Sequence, residues 1–175
     1  ESVKSDFEKM VVDKIKKEVI GDPFNSKTTI GPMVSIDARN ELIRQVEASI
    51  NAGARLLYKS LIPSVKNSAY HPVIVLTDVL PGMPAFDEEL FGPVASIISA
   101  KDKNCALTLA NQTSFGLGAA VFTSDIEEGR RIAESELEAG AAFVNDFVRS
   151  DPRLPFGGVK ESGYGNELSS YGILE

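Results

Sequence analysis

Three carboxylates in a row, Asp87, Glu88 and Glu89, are followed by Leu90, Phe91, Gly92 and Pro93, and then by an apolar run. A carboxylate accepts hydrogen bonds from both hydroxyls of a vicinal diol, and an aromatic face supports a flat ring. Gly92 lets the backbone approach its neighbours closely, and Pro93 belongs at the start of a strand, where no ladder donor is needed. Such a turn would hold Glu89 and Phe91 in fixed directions. Together they suit a ribose carrying a planar base.

Other chemistries find little support. A Ser-His-Asp or Cys-His machine needs a histidine, and the single one, His71, stands directly before Pro72 where a strand begins, so it reads as a surface or strand-end residue. A metal site needs clustered ligands, and one histidine and one cysteine supply no such cluster. Cys105 lies in "DKNCALTLANQ", a helical pattern with Cys105, Leu109 and Gln112 on adjoining turns, and reads as structural rather than nucleophilic. "GYGNEL" lacks the third glycine of a dinucleotide fingerprint and is no phosphate cradle.

The elements that must position these residues follow from pattern. The chain has 175 residues, 43% hydrophobic, with a formal charge of −7, which describes one globular domain able to bury roughly 70% of its unfolded surface. The acidic balance, without a basic stripe, excludes a phosphate-tracking nucleic-acid binder. No apolar run reaches the length of a membrane span, and a lone cysteine fits a reducing cytoplasm.

A capping box from Ser5 to Glu8 opens a first helix, closed by Gly21 and Asp22-Pro23. A second helix runs from Ile36, with Leu42, Ile43, Val46 and Ile50 on one face, and stops at Gly53. Strands follow at 55–58, 73–79 and 94–100. A helix over 102–112, the strand "GAAVFT", a helix capped by Ser124 or Asp125 and reaching Gly140, and the strand "AAFVN" complete the regular part. Strands alternating with helices imply an α/β fold, a mostly parallel open sheet with helices on both faces. The segments 81–93 and 146–165 read as irregular, and loops of such length are usually functional.

"EELFGPV" at 88–94, "NQTSFGLGAAVFTSD" at 111–125, "AAFVN" at 141–145 and "LPFGGVKESGYGNELSSYG" at 154–172 together resemble the successive signature segments of the NAD(P)-dependent aldehyde dehydrogenases. The tail "VRSDPRLPFGG" is most similar to bacterial succinate-semialdehyde dehydrogenases. The resemblance implies that Glu89 binds ribose hydroxyls beside the nicotinamide of NAD or NADP and that Phe91 packs against that ribose region. It implies that Phe156 lines the aldehyde tunnel and that Ser150 holds the substrate carboxylate, with Arg153 as a candidate assistant that otherwise faces solvent. The small-molecule partner is an aldehyde, and a homo-oligomer is expected.

In that family a cysteine thiolate attacks the aldehyde and a glutamate-activated water releases the acid. Both groups are expected upstream of Glu1, and Cys105 matches neither. Residues 1–175 are therefore expected to be the downstream part of a catalytic domain, truncated, with the cofactor-binding domain and oligomerisation segment absent. No bound cofactor and no turnover are expected of the chain alone. A non-enzymatic interaction module that retains the fold is the alternative. Asn166 departs from the more frequent arginine of the motif.

Overall fold

The computed structural model describes residues 2–66 and 68–174. Its contacts divide the chain into two units, Glu1–Ala100 and Lys101–Glu175. The first unit contains α1 (Lys4–Ile15), α2 (Ile36–Asn51), β1 (Arg55–Lys59), β2 (Ile74–Thr77), α3 (Pro84–Asp87) and β3 (Val94–Ser96). The second contains α4 (Lys103–Gln112), β4 (Phe115–Gly116), β5 (Gly118–Val121), α5 (Ile126–Ser135), β6 (Ala141–Val144), β7 (Val159–Lys160) and α6 (Tyr171–Leu174).

In the first unit the strand order is β1-β2-β3. All four residues of β2 are buried, as a central strand covered by other elements requires. Val46 of α2, Ile74 and Leu76 of β2, Met83, and Ala85 of α3 form the core, with Phe86, Leu90 and Val94 packed against it. Ser35 caps α2 by accepting from the Ala38 amide at 3.0 Å, and Gly53 turns the chain out of the helix with φ of +115°.

In the second unit β5 and β6 pair in parallel, with α5 as the crossover packed on both strands. Asp125, one of the two expected caps, accepts from the Glu128 amide at 3.0 Å. A Cβ on Gly129 of α5 would lie 2.9 Å from Val144 Cγ1, so the missing side chain lets helix and strand approach. Lys160 Nζ donates to the Asn111 and Thr113 carbonyls at 2.7 and 3.1 Å, tying β7 to the end of α4.

The α/β class and the parallel pairings β2·β3 and β5·β6 agree with the pattern. The strands form three separate sheets among the described residues, and β1·β2 and β4·β7 are antiparallel. No helix joins β1 to β2, and without a helical crossover the return strand runs the other way. The capping box does not form. Val3 precedes α1 without a side-chain cap, Ser5 lies inside the helix, and Glu8 instead accepts from the Thr77 hydroxyl. That helix ends at Ile15 rather than near Gly21, because Ile20 is drawn into a bridge with Ile30. The 81–93 segment contains α3, and the strand expected over 94–100 is regular only to Ser96.

His71 is no surface residue. It is 2% exposed, and burial holds its pKa below the ordinary 6.5 against the opposing effect of the Pro72 backbone, with lesser help from the charges of Lys59 and Arg39. The unfolded chain takes up a proton near pH 6.5 that the folded chain declines, so stability is complete above that pH and falls as pH drops through it. The lowered carboxylates Glu41 and Glu128 act in a separate window, from 4.5 downward. His71→Leu is expected to flatten the thermal midpoint between pH 7 and pH 5, and an unchanged pH slope in calorimetry would contradict this.

Candidate functional site

The three adjacent acids have three different fates. Asp87, the last residue of α3, accepts from the Gly82 amide at 2.9 Å and closes its own turn. Glu88 is drawn onto α2, accepting from Arg44 Nη2 at 3.2 Å and Gln45 Nε2 at 2.9 Å. Glu89 contributes its backbone carbonyl to the same Gln45 amide at 3.3 Å, while its exposed carboxylate has no partner among the described residues. A single amide thus fixes the segment and leaves one carboxylate available.

Gln45 can do this because it is 7% exposed, on the apolar side of α2 between Leu42 and Ser49. Glycine at 92 is needed for close approach: a Cβ there would lie 2.3 Å from Leu42 Cδ2. Gly92 donates to the Leu90 carbonyl and Val94 to the Gly92 carbonyl, both at 2.8 Å, so two tight turns lead into β3. Phe91, between the anchors at Gln45 and Leu42, is 74% exposed. A large exposed ring on a pinned backbone is an apolar surface feature with few contacts of its own.

In the second unit Asn145 ends β6 with φ of +54°, and its side chain accepts from the Thr123 amide and donates to the Thr123 carbonyl, both at 2.8 Å. The following segment is held by the edge-to-face pair of Phe147 with Phe122 at 6.1 Å, and by Val148 seated where a Cβ on Gly118 would collide. Ser150 is exposed, and its hydroxyl has no partner among the described residues. On either side Arg149 pairs with Asp146 at 2.8 Å and Asp151 with Arg153 at 2.6 Å. The Arg153 guanidinium and its own backbone hold the Asp151 carboxyl well below the usual carboxylate range. Arg153 is committed to Asp151 through two bonds and 85% exposed, which favours the solvent-facing reading over a substrate contact.

Phe156 is half-buried, bridged to Glu167 by paired backbone bonds of 2.8 and 2.7 Å. It lines a cavity of about 400 Å³ with Ala142, Phe143, Arg149 and Asp151. Ser150 is not in that lining. Phe156 also lines a second cavity of about 580 Å³ with Asn166 and Glu167. The glycines after it allow backbone to touch backbone: a Cβ on Gly140 would lie 1.8 Å from the Gly157 carbonyl oxygen. Asn166 packs here, its Oδ1 2.9 Å from where a Gly157 Cβ would be.

Cys105 is half-buried on α4, and its amide donates to the capping Asp102 carboxylate at 2.8 Å. Among the described residues no group of three or more His, Cys, Asp or Glu is placed to hold a metal ion, and no helix is long and apolar enough to cross a membrane.

The profile of the aldehyde dehydrogenase family matches residues 1–175. The chain belongs to the aldehyde dehydrogenase family. It is 44% identical over 175 residues to the NAD(P)+-dependent succinate semialdehyde dehydrogenase Sad of Escherichia coli (strain K12), covering 100% of this chain and 37% of that protein. It is 42% identical over 178 residues to the NADP(+)-dependent succinate-semialdehyde dehydrogenase of Deinococcus radiodurans, covering 95% and 37%. Among solved structures, the succinic semialdehyde dehydrogenase of Streptococcus pyogenes in complex with NADP+ superposes with a TM-score of 0.92 at 30% identity, covering 99% of this chain and 38% of that one. The betaine aldehyde dehydrogenase of Staphylococcus aureus in complex with NAD+ gives 0.92 at 32% identity, covering 99% and 35%. This aldehyde dehydrogenase chain thus spans little more than a third of the length of these relatives.

Two positioning residues lie outside the signature segments or at their edge. Gln45 was detectable as an amide on an otherwise apolar helical stripe, and Asn145 as an asparagine ending a strand before an irregular segment, where the left-handed conformation is tolerated. Gln45→Met keeps the volume and deletes both bonds. It is expected to cost about 1 kcal/mol in urea unfolding and to accelerate amide exchange across 88–92; unchanged exchange there would show that the amide does not hold the turn.

Proposed function

We propose that this chain forms part of the cofactor- and substrate-binding wall of an aldehyde dehydrogenase that oxidises succinate semialdehyde to its acid with NAD or NADP. The observation that carries the reading is the carboxylate of Glu89, the one acid of its cluster without a partner among the described residues, next to the exposed ring of Phe91. A carboxylate whose neighbours are already engaged is a fitting acceptor for two ribose hydroxyls, and the adjacent ring covers an apolar face of the same nucleoside. When bound, the dinucleotide supplies the acceptor of the aldehyde hydrogen. The residues of this chain bind and orient it.

On the substrate side, Ser150 donates its hydroxyl to the terminal carboxylate, a charge-assisted bond. Asp151 is kept from repelling that carboxylate because its own charge is engaged by Arg153. Phe156 provides an apolar wall for the methylenes between the two functional groups. The relatives named for succinate semialdehyde support this substrate class. A homo-oligomer and a cytoplasmic location belong to the same reading.

Two measurements test it. In the full-length enzyme, Ser150→Ala is expected to raise KM for succinate semialdehyde by about tenfold and leave KM for an uncharged aldehyde of equal length nearly unchanged; an equal rise for both removes the carboxylate role. The 175-residue chain by itself is expected to give no aldehyde-dependent reduction of NAD or NADP, because its one cysteine is a half-buried helical residue. Measurable turnover would place a nucleophile within it.

A further inference from the structure

The first unit holds another cavity, of about 560 Å³, a size that accepts small organic ligands. Part of its wall is apolar, from Ile43, Val46 and Ile74. The polar part is unusual in being almost all donor. His71 lines it and is 2% exposed; both ring nitrogens are sealed within the wall, and apart from the poorly aligned Pro72 backbone neither has a hydrogen-bond partner among the described residues. A buried polar group in that state costs about 1–3 kcal/mol and calls for an explanation.

Lys59 and Tyr70 line the same cavity, and neither the ammonium nor the phenol makes a hydrogen bond or ion pair among the described residues. Arg39 adds a second positive charge, with its guanidinium on the Ser68 carbonyl and on Asn40 Oδ1. Glu47 is the one carboxylate in the lining, so two cations face one anion. Beyond the effect of burial, Lys59 and Arg39 both disfavour protonation of His71, which marks the positive potential there.

A ligand that answers this lining presents acceptors and negative charge to the donors, and hydrocarbon to the apolar wall. We propose that the cavity is a binding site for an aliphatic carboxylate, its head group on Lys59 and Tyr70 beside His71 and its chain on Ile43, Val46 and Ile74. The carboxylate accepts from the Lys59 ammonium and the Tyr70 phenol, while burial of the chain adds about 0.8 kcal/mol per methylene.

Because the chain has a single histidine, the imidazole resonances of His71 report on the cavity without ambiguity. Titration of the 175-residue chain with millimolar octanoate is expected to move them saturably, and octan-1-ol to leave them in place. Lys59→Ala, at an exposed position, is expected to weaken octanoate binding about tenfold without unfolding the chain. The assignment fails if octanoate gives no saturable shift, if octan-1-ol gives an equal one, or if Lys59→Ala binds octanoate as tightly as the parent chain.

Discussion

The first unit turns on the seating of residues 88–92 against α2. Two contacts do this: the Gln45 amide, shared between the Glu88 carboxylate and the Glu89 carbonyl, and the bare Gly92 backbone laid against Leu42. One contact is polar and directional, the other steric and intolerant of even a methyl group. Between them the side chains of Glu89 and Phe91 have nowhere to go but outward. A flexible acidic loop would lose conformational entropy on meeting a ligand; a pinned one has already lost it on folding. The site residues are therefore consequences of helix packing as much as of their own chemistry.

The second unit achieves the same end with backbone rather than side chains. Gly140 against Gly157, and Gly157 against Gly165 and Asn166, bring main chain to main chain at distances that no Cβ permits. The Phe156–Glu167 bridge then holds the aromatic ring at the edge of two cavities. Upstream, Asn145 imitates a strand partner through its amide, so β6 ends and the Ser150 segment begins at one defined place. The "PFGG" signature thus combines one residue suited to a ligand with two that exist for close approach.

Charge is arranged by neutralisation in both units. Asp87, Glu88, Asp146 and Asp151 each have a donor or cation within the same segment or the facing helix, which leaves Glu89 as the one member of its three-acid cluster without a partner among the described residues. An acidic cluster is ordinarily a solvated face, and pairing of its other members is what distinguishes this one. The surroundings of His71 have the opposite arrangement, two cations against the single carboxylate of Glu47.

Much was legible in the residues alone. The α/β class, helix α2 with its stop at Gly53, a cap at Ser124 or Asp125 and strands over 55–58, 73–79 and 141–145 follow from local periodicity and turn chemistry, which act over a few residues; the structure has Asp125 as the cap and strands at 55–59, 74–77 and 141–144. The motif segments indicated the family; the roles of Glu89, Phe91, Ser150 and Phe156 rest on the resemblance and belong to the proposed function. What local pattern could not decide was set by partners distant in the chain. Ser5 and Glu8 have the spacing of a capping box, yet Glu8 is claimed by Thr77; His71 looks like a strand-end residue, yet it is buried beside Lys59 and Arg39. Likewise, the residues indicated Glu89 among three adjacent acids, but the tether that separates Glu88 from Glu89 comes from Gln45, more than forty positions away. Sequence by itself determined which residue types stand ready to act; tertiary structure decided which are free to do so, because hydrogen-bond partners are assigned by proximity in space and not along the chain.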